Sequence, residues 1–327
     1  MGAVPAPRHG LAAGVGAYLL WGLFPLYWPL LEPAAAVEIL AHRIAWSLVL
    51  LAAALALTAG FAWLRQLERR QVALLTLAAV TVTVNWGMYI YGVNSGHVVE
   101  TSLGYFINPL VTVALGVAVL GERLSRAQAV AVAIAGAAVA VLAIDYGRPP
   151  WIALTLAFSF GSYGLMKKRA GVDGTQSLAF ETGVLALPAT AYLLWLGARG
   201  EGTFTSEGTG HVALLVGSGI ATAVPLALFG AAAIRIPLTT LGLLQYIAPT
   251  IQFAIGVLIY TEPMPASRLA GFALVWVALA IFTIDAVRGA RAAAALPPAG
   301  DVPAAAPIPA CGEPGGAAPV VPGRAAG

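Results

Sequence analysis

SLGYFINPLVTVALGVAVLGERLS, residues 102–125, returns in weakened form as GLLQYIAPTIQFAIGVLIYTEPMP, residues 242–265. The offset is 242 − 102 = 140, and no gap is needed to align them. Identities fall at Leu103/Leu243, Ile107/Ile247, Pro109/Pro249, Ala114/Ala254, Gly116/Gly256, Val117/Val257 and Glu122/Glu262, and the register persists to Asp145/Asp285. The chain therefore reads as two related halves. If an odd number of membrane spans separates the copies, the second half is inverted relative to the first. Inverted repeats are common in secondary transporters, where the solute site lies between the halves near the bilayer midplane.

Composition requires the membrane. Only 9% of the 327 residues are charged and 60% are hydrophobic, and the mean hydropathy is +0.87, so a water-facing surface cannot be built from this chain. Apolar stretches at about 11–31, 35–59, 72–93, 98–121, 127–144, 150–166, 177–197, 211–233, 238–260 and 268–287 each approach the length of a spanning helix. The predicted fold is all-α integral membrane, with ten transmembrane helices as two inverted five-helix repeats. Residues 1–10 form a cytoplasmic N-terminus, 11–145 the first repeat, 150–287 the second, and 288–327 an Ala/Pro/Gly-rich tail expected to be disordered. Cys311, the only cysteine, lies in that tail.

Basic residues set the orientation, because positive loops stay in the cytoplasm. With the amino terminus inside, Arg8, Arg65, Arg69, Arg70, Arg123, Arg126, Lys167, Lys168, Arg169, Arg235, Arg288 and Arg291 all fall inside, against Arg148, Arg199 and Arg268 outside. Both termini are predicted cytoplasmic. The net charge of +3 is thus topological. No basic run is interleaved with stacking aromatics, which argues against nucleic acid as a partner.

Ionisable groups inside apolar spans are costly in lipid and are functional candidates for that reason. Glu38, His42, Arg43 and Glu181 make up the set. Glu38 and His42 share a helix face at a spacing of four, and Arg43 points about 100° away from His42. A carboxylate beside an imidazole suits proton coupling; an ion pair sealing the outer end of the second span is the structural alternative. Glu181, with no local partner in sequence, is either a coupling or gating acid or an interfacial one.

Uncharged polar residues mark a solute pathway. Asn85, Tyr89, Asn94, Tyr105, Asn108, Gln245, Tyr246 and Gln252 interrupt otherwise aliphatic spans. Proline removes a helical hydrogen bond and displaces the carbonyl four residues earlier. Pro109 and Pro249 would release the carbonyls of Tyr105 and Gln245. Taken singly, Asn85 and Gln252 read as interhelical glue; the two proline regions together read as a route. Trp21-Gly22-Leu23-Phe24-Pro25 predicts a further kink lined by aromatics, with core packing the alternative. Glu122 and Glu262 are read as structural, reaching orphan amides or a neighbouring arginine. Ser125 with Gln128 matches a capping box.

Signatures of chemistry are missing. Gly161-Ser162-Tyr163-Gly164 is no nucleophile elbow, His97 with Glu100 lacks metal-ligand spacing, and no glycine loop matches a phosphate-binding pattern. No catalytic residue, metal or cofactor is expected. A membrane enzyme acting on a lipid-linked substrate would need an acidic or histidine cluster at one interface, and a channel or sensory scaffold is the third class.

Gly121-Glu122-Arg123-Leu124-Ser125 and Thr261-Glu262-Pro263, each after a proline-bearing span, resemble the EamA domain pair of the drug/metabolite transporter superfamily. AYLLWGLFPLYW, EILAHRIAWS, NWGMYIYGVNSGHVVETSLGYFINPL, PWIALTLAFSFGSYGLMKK and TLGLLQYIAPT are similar to the RarD branch over about residues 11–287. The resemblance implies an exporter-like bundle in the bacterial inner membrane. The resemblance also implies a small metabolite or drug-like solute as cargo, with a link by name to chloramphenicol sensitivity, and leaves the solute itself open.

Overall fold

The computed structural model describes residues 7–57, 62–121, 123–172, 174–233, 235–236 and 238–294. Glu122, Cys311 and the tail from residue 295 onward lie outside the described residues. By internal contacts the chain divides into Met1–Val287 and Arg288–Gly327. The second unit is described only for its helical start, up to Ala294.

Helices account for nearly all of the described chain. α1 (Pro7–Gly22), α2 (Phe24–Tyr27) and a 3₁₀ turn (Trp28–Leu31) form the first apolar stretch, bent by 43° at its break. α3 (Ala36–Leu57), α4 (Arg69–Asn94), α5 (Val98–Leu120) and α6 (Arg126–Tyr146) follow. α7 (Trp151–Ala170), α8 (Gly174–Ala198) and α9 (Gly208–Ala233) open the second half, then α10 (Leu238–Leu244), α11 (Ile247–Leu258) and α12 (Ala266–Ala294).

Among the described residues seven helices are long and apolar enough to cross a membrane, and the bent first stretch makes an eighth. α7 is not among them, because Lys167, Lys168 and Arg169 occupy its last turn. The ninth stretch divides into the short α10 and α11.

Local sequence explains the boundaries. Ser125 Oγ accepts from the Gln128 amide at 3.1 Å while Gln128 Oε1 accepts from the Ser125 amide at 3.1 Å, the capping box expected for α6. Glu68 and Gln71 form a second one on α4. Gly121, Gly147 and Gly171 end α5, α6 and α7 at φ between 61° and 68°, a left-handed conformation that costs glycine no Cβ clash.

Packing follows small residues. α3 lies against α8 and α9, α7 against α4 and α5, and α1 against α9 and α11. Gly219 of α9 meets the Trp46–Ser47 backbone of α3 so closely that an added Cβ would sit 2.5 Å from Trp46 Cβ. Ala131, Ala135, Ala138 and Leu142 of α6 share one core with Phe272, Val275 and Ala278 of α12. Ser125, which caps the start of α6, donates to Asp285 near the far end of α12 at 2.9 Å. At the other end Asp145 of α6 accepts from Ser267 and, at 2.8 Å, from Arg268 Nε, both at the start of α12. These two helices therefore run antiparallel and are fastened at both ends.

Candidate solute-binding site

Glu38, His42 and Arg43 sit in the first two turns of α3 and are 2%, 5% and 3% exposed. The ion pair weighed for them does not form. Glu38 Oε1 accepts instead from the Thr203 amide at 2.7 Å and the Thr203 hydroxyl at 3.1 Å, in the α8–α9 connection. Thr203 Oγ1 also lies 2.8 Å from His211 Nε2. His42 stacks on Phe204, with ring centroids 4.7 Å apart, and neither of its nitrogens has a hydrogen-bond partner. Arg43 is turned away from this outer cluster by the helical rotation between adjacent residues, as expected.

Arg43 occupies an aromatic box. Its guanidinium carbon is 4.1 Å from the Trp86 ring centroid, 5.3 Å from Trp28 and 5.8 Å from Phe24. Nε donates to Thr222 Oγ1 at 2.7 Å, and that hydroxyl donates to the Ser218 carbonyl at 2.9 Å. Among the described residues no carboxylate pairs with it. α4 and α5 close the box: Tyr105 donates to Asn85 Oδ1 at 3.1 Å, and Tyr89 meets Tyr105 edge-on at 5.5 Å. Asn85 Nδ2 reaches across to the Leu156 carbonyl at 2.9 Å and to Ser159 Oγ at 3.1 Å. Trp28 Nε1 and the Tyr89 hydroxyl are buried without partners.

Of the pathway residues read from sequence, Asn85, Tyr89 and Tyr105 gather beside Arg43. Asn108 lies one turn further along α5 and accepts from Thr112 at 3.4 Å. Trp21 joins Tyr18 and Phe229 in an aromatic cluster and also packs against the core that holds Phe24, Trp28 and Tyr89. Asn94 ends α4, away from the box, with Oδ1 buried and unpartnered. Gln245 and Tyr246 form the turn between α10 and α11, and Tyr246 lines an outer groove with Phe106, Trp276 and Leu279. Periodicity places a residue on a helix but not the neighbour it meets, and so cannot separate these positions.

The prolines behave in two ways. Pro109 leaves α5 unbroken. Pro249, third residue of α11, and Pro25, second residue of α2, each stand just past an interruption of their stretch, at Gln245–Tyr246 and at Leu23. The carbonyl four residues before Pro25 belongs to Trp21, and Gln252 Nε2 donates to it at 3.1 Å. Tyr260 OH fastens the Pro25 carbonyl at 2.7 Å. Gln252 is glue, as read alone, but glue applied to the break itself.

Three glutamates gain partners that the sequence did not reveal. Glu181 is not alone: Ser177 donates to it at 2.5 Å, Tyr163 at 3.0 Å, and Lys167 Nζ stands 3.4 Å away. Glu262 receives the Val98 amide at 2.5 Å and the Val99 amide at 3.1 Å, capping α5 rather than the helix that follows it. Burial pushes its pKa above the ordinary carboxylate value, against the opposing pull of those amides. Glu100, read only as an unsuitable metal ligand, pairs with Arg148 at 2.8 Å and accepts from the Ile152 amide at 3.1 Å.

An apolar helical bundle with a buried polar and aromatic centre is the architecture of a polytopic membrane protein, and comparison with known sequences gives its family. The EamA-like transporter family model matches residues 8–144. Protein RarD of Streptomyces exfoliatus is 60% identical over 87% of this chain and 91% of that one. An uncharacterized transporter of Bacillus subtilis is 45% identical over 87% and 97%. Chloramphenicol-sensitive protein RarD of Pseudomonas aeruginosa is 31% identical over 86% and 95%. A solved crystal structure at 18% identity aligns over 85% of this chain and 98% of the other with a TM-score of 0.55, a likeness of fold. The chain belongs to the EamA family of membrane transporters, in its RarD branch.

Proposed function

We propose that this protein is a secondary transporter of the bacterial inner membrane that carries a small amphipathic metabolite or drug-like solute by alternating access. The bundle is read as ten crossings in two inverted five-helix repeats, residues 11–145 and 150–287, with both termini cytoplasmic. The observation that carries the reading is the broken α1–α2 stretch of one half seated on the broken α10–α11 stretch of the other, beside a buried polar centre. Discontinuous helices at a repeat interface are where such proteins hold their solutes.

Packing supports the repeats. Exchanging the halves by 140 residues carries α1–α2 onto α7, α3 onto α8, α4 onto α9, α5 onto α10–α11 and α6 onto α12. The pairs α4–α7 and α5–α7 then match α9–α1 and α11–α1, and α3–α9 matches α8–α4. Bonds between distant segments also respect the ten-span topology. Glu262 with Val98, Asp145 with Arg268, Glu100 with Arg148 and Glu38 with Thr203 all join ends assigned outside. Ser125 with Asp285, Gln71 with the Ala170 carbonyl and Lys167 with Glu181 join ends assigned inside.

The test is counterflow in proteoliposomes with a panel of labelled small solutes, carboxylates among them beside the uncharged chloramphenicol that one relative's name suggests. Saturable exchange is expected; flux linear in concentration would favour a channel. Cysteines placed at Arg126 and Arg268 in a Cys311→Ser background should label from opposite faces, and labelling from one face would remove the inversion.

A second reading concerns coupling. Glu38, Thr203, His211 and His42 form a buried group at the end assigned outside, suited to taking up a proton as the outer side opens. Glu181, held by Lys167 and Tyr163, is better suited to gating the opposite end. Solute flux indifferent to an imposed pH gradient would withdraw the coupling role.

A further inference from the structure

Arg43 is a full charge, 3% exposed, among groups that do not neutralise it. Three aromatic rings and one hydroxyl surround it. Cation–π contacts return only part of what burying an ion costs unless a counter-charge and hydrogen bonds answer it. The neighbouring unmet groups can both donate. Trp28 Nε1 can only donate, and the Tyr89 hydroxyl, also unpartnered, can donate or accept. Tyr89 and Tyr105 are close enough to Arg43 to interact with it electrostatically. The box therefore holds free donors and a cation; its Thr222 hydroxyl already accepts from Nε, and among the described residues it holds no anion.

We infer that the solute carried by this protein is a carboxylate-bearing molecule whose anionic end is received by Arg43, with Trp28 and Tyr89 completing its hydrogen bonds and Trp86 and Phe24 walling its apolar part. The planar guanidinium fork fits the two oxygens of a carboxylate. A single cation in an aromatic enclosure balances a monoanion and leaves a phosphate dianion half compensated. This assignment rests on the transporter reading for its meaning, but the anion site itself can be measured without transport.

The experiment uses the purified full chain in detergent and follows apparent Tm and tryptophan fluorescence, since Trp28 and Trp86 border the site. Phenylacetate, indole-3-acetate and hexanoate are each compared with the matching neutral amide, and inorganic phosphate is run beside them. At least one carboxylate should stabilise the protein and bind about ten- to a hundredfold tighter than its amide, the range a charge-assisted hydrogen-bond pair supplies. Arg43→Gln should abolish that preference, and Arg43→Lys, which keeps the charge without the fork, should retain part of it. Gln at this position removes a buried charge, so the ligand-free variant is expected to remain folded, and its own Tm serves as the control.

Equal response to carboxylate and amide, an unaltered preference in Arg43→Gln, a phosphate response matching the carboxylates, or no response to any carboxylate would each overturn the assignment. Counterflow separates the two claims. Arg43-dependent binding without saturable exchange keeps the anion site and removes the transporter; exchange unaffected by Arg43→Gln does the reverse.

Discussion

α7 seated on α5 and α1–α2 seated on α11 hold matching places in the two proposed repeats, one straight and the other broken. The 140-residue exchange carries Trp21 and Gln252, joined at 3.1 Å, onto Gly161 and Thr112. Gly161 does face Thr112, whose Oγ1 lies 3.4 Å from where a Cβ would be. In the straight copy Leu165 stands where the broken copy has Pro25, so α7 keeps its own bond to the Gly161 carbonyl and no side-chain donor is needed. Thr112 turns to Asn108 instead. In the broken copy the proline removes the donor and Gln252 supplies one from the neighbouring helix. The break is thus a compensated feature, and only one of the two equivalent places has it.

Copying the break into the straight pair should have the largest effect. Leu165→Pro is expected to cost about 3 kcal/mol or more, as proline does within a helix, seen as a large drop in apparent Tm. Adding Thr112→Gln should restore part of that drop, since it supplies the donor that Gln252 provides in the other copy. A Leu165→Pro protein as stable as the parent would end the comparison.

Close approach ranks next. A Cβ on Gly104 of α5 would lie 2.8 Å from the Ala153 carbonyl oxygen, a backbone atom that cannot swing aside, whereas one on Gly22 meets only the Ile251 side chain at 2.9 Å. Gly104→Ala should therefore lower stability by about 1–3 kcal/mol, and Gly22→Ala by less. The reverse order in thermal unfolding would mean the straight pair yields more readily than the broken one.

Gln252→Leu strips the Trp21 carbonyl of its donor and should cost about 1–2 kcal/mol, moderated because Gln252 Oε1 is itself buried without a partner. Thr112→Val, the equivalent change in the straight pair, gives up only a 3.4 Å contact and should stay within about 0.5 kcal/mol. Similar losses for both, measured side by side, would show that the two copies share one bonding scheme after all.

Much of the frame was legible because it follows from composition and period. The apolar helices, the Pro25 kink and the Ser125–Gln128 capping box needed only neighbours in sequence. The Arg43 box did not: Trp86 lies 43 residues from Arg43 and Thr222 lies 179 away, and nothing local distinguishes that tryptophan from one facing lipid. Glu181 read as solitary because Lys167 belongs to the preceding helix. His211 and Thr203 were overlooked at the edge of an apolar stretch, where a polar residue gives no sign of being buried.

The bolts at both ends of the α6–α12 pair, Ser125 to Asp285 and Asp145 to Arg268, resemble the hinge side of a door. A pair of struts locked top and bottom cannot slide or tilt apart, so swinging one half wholesale against the other would have to tear that seam. For a transporter of the proposed kind, opening then falls to the helix breaks at Leu23 and at the Gln245–Tyr246 turn, two rods bending within a fixed frame.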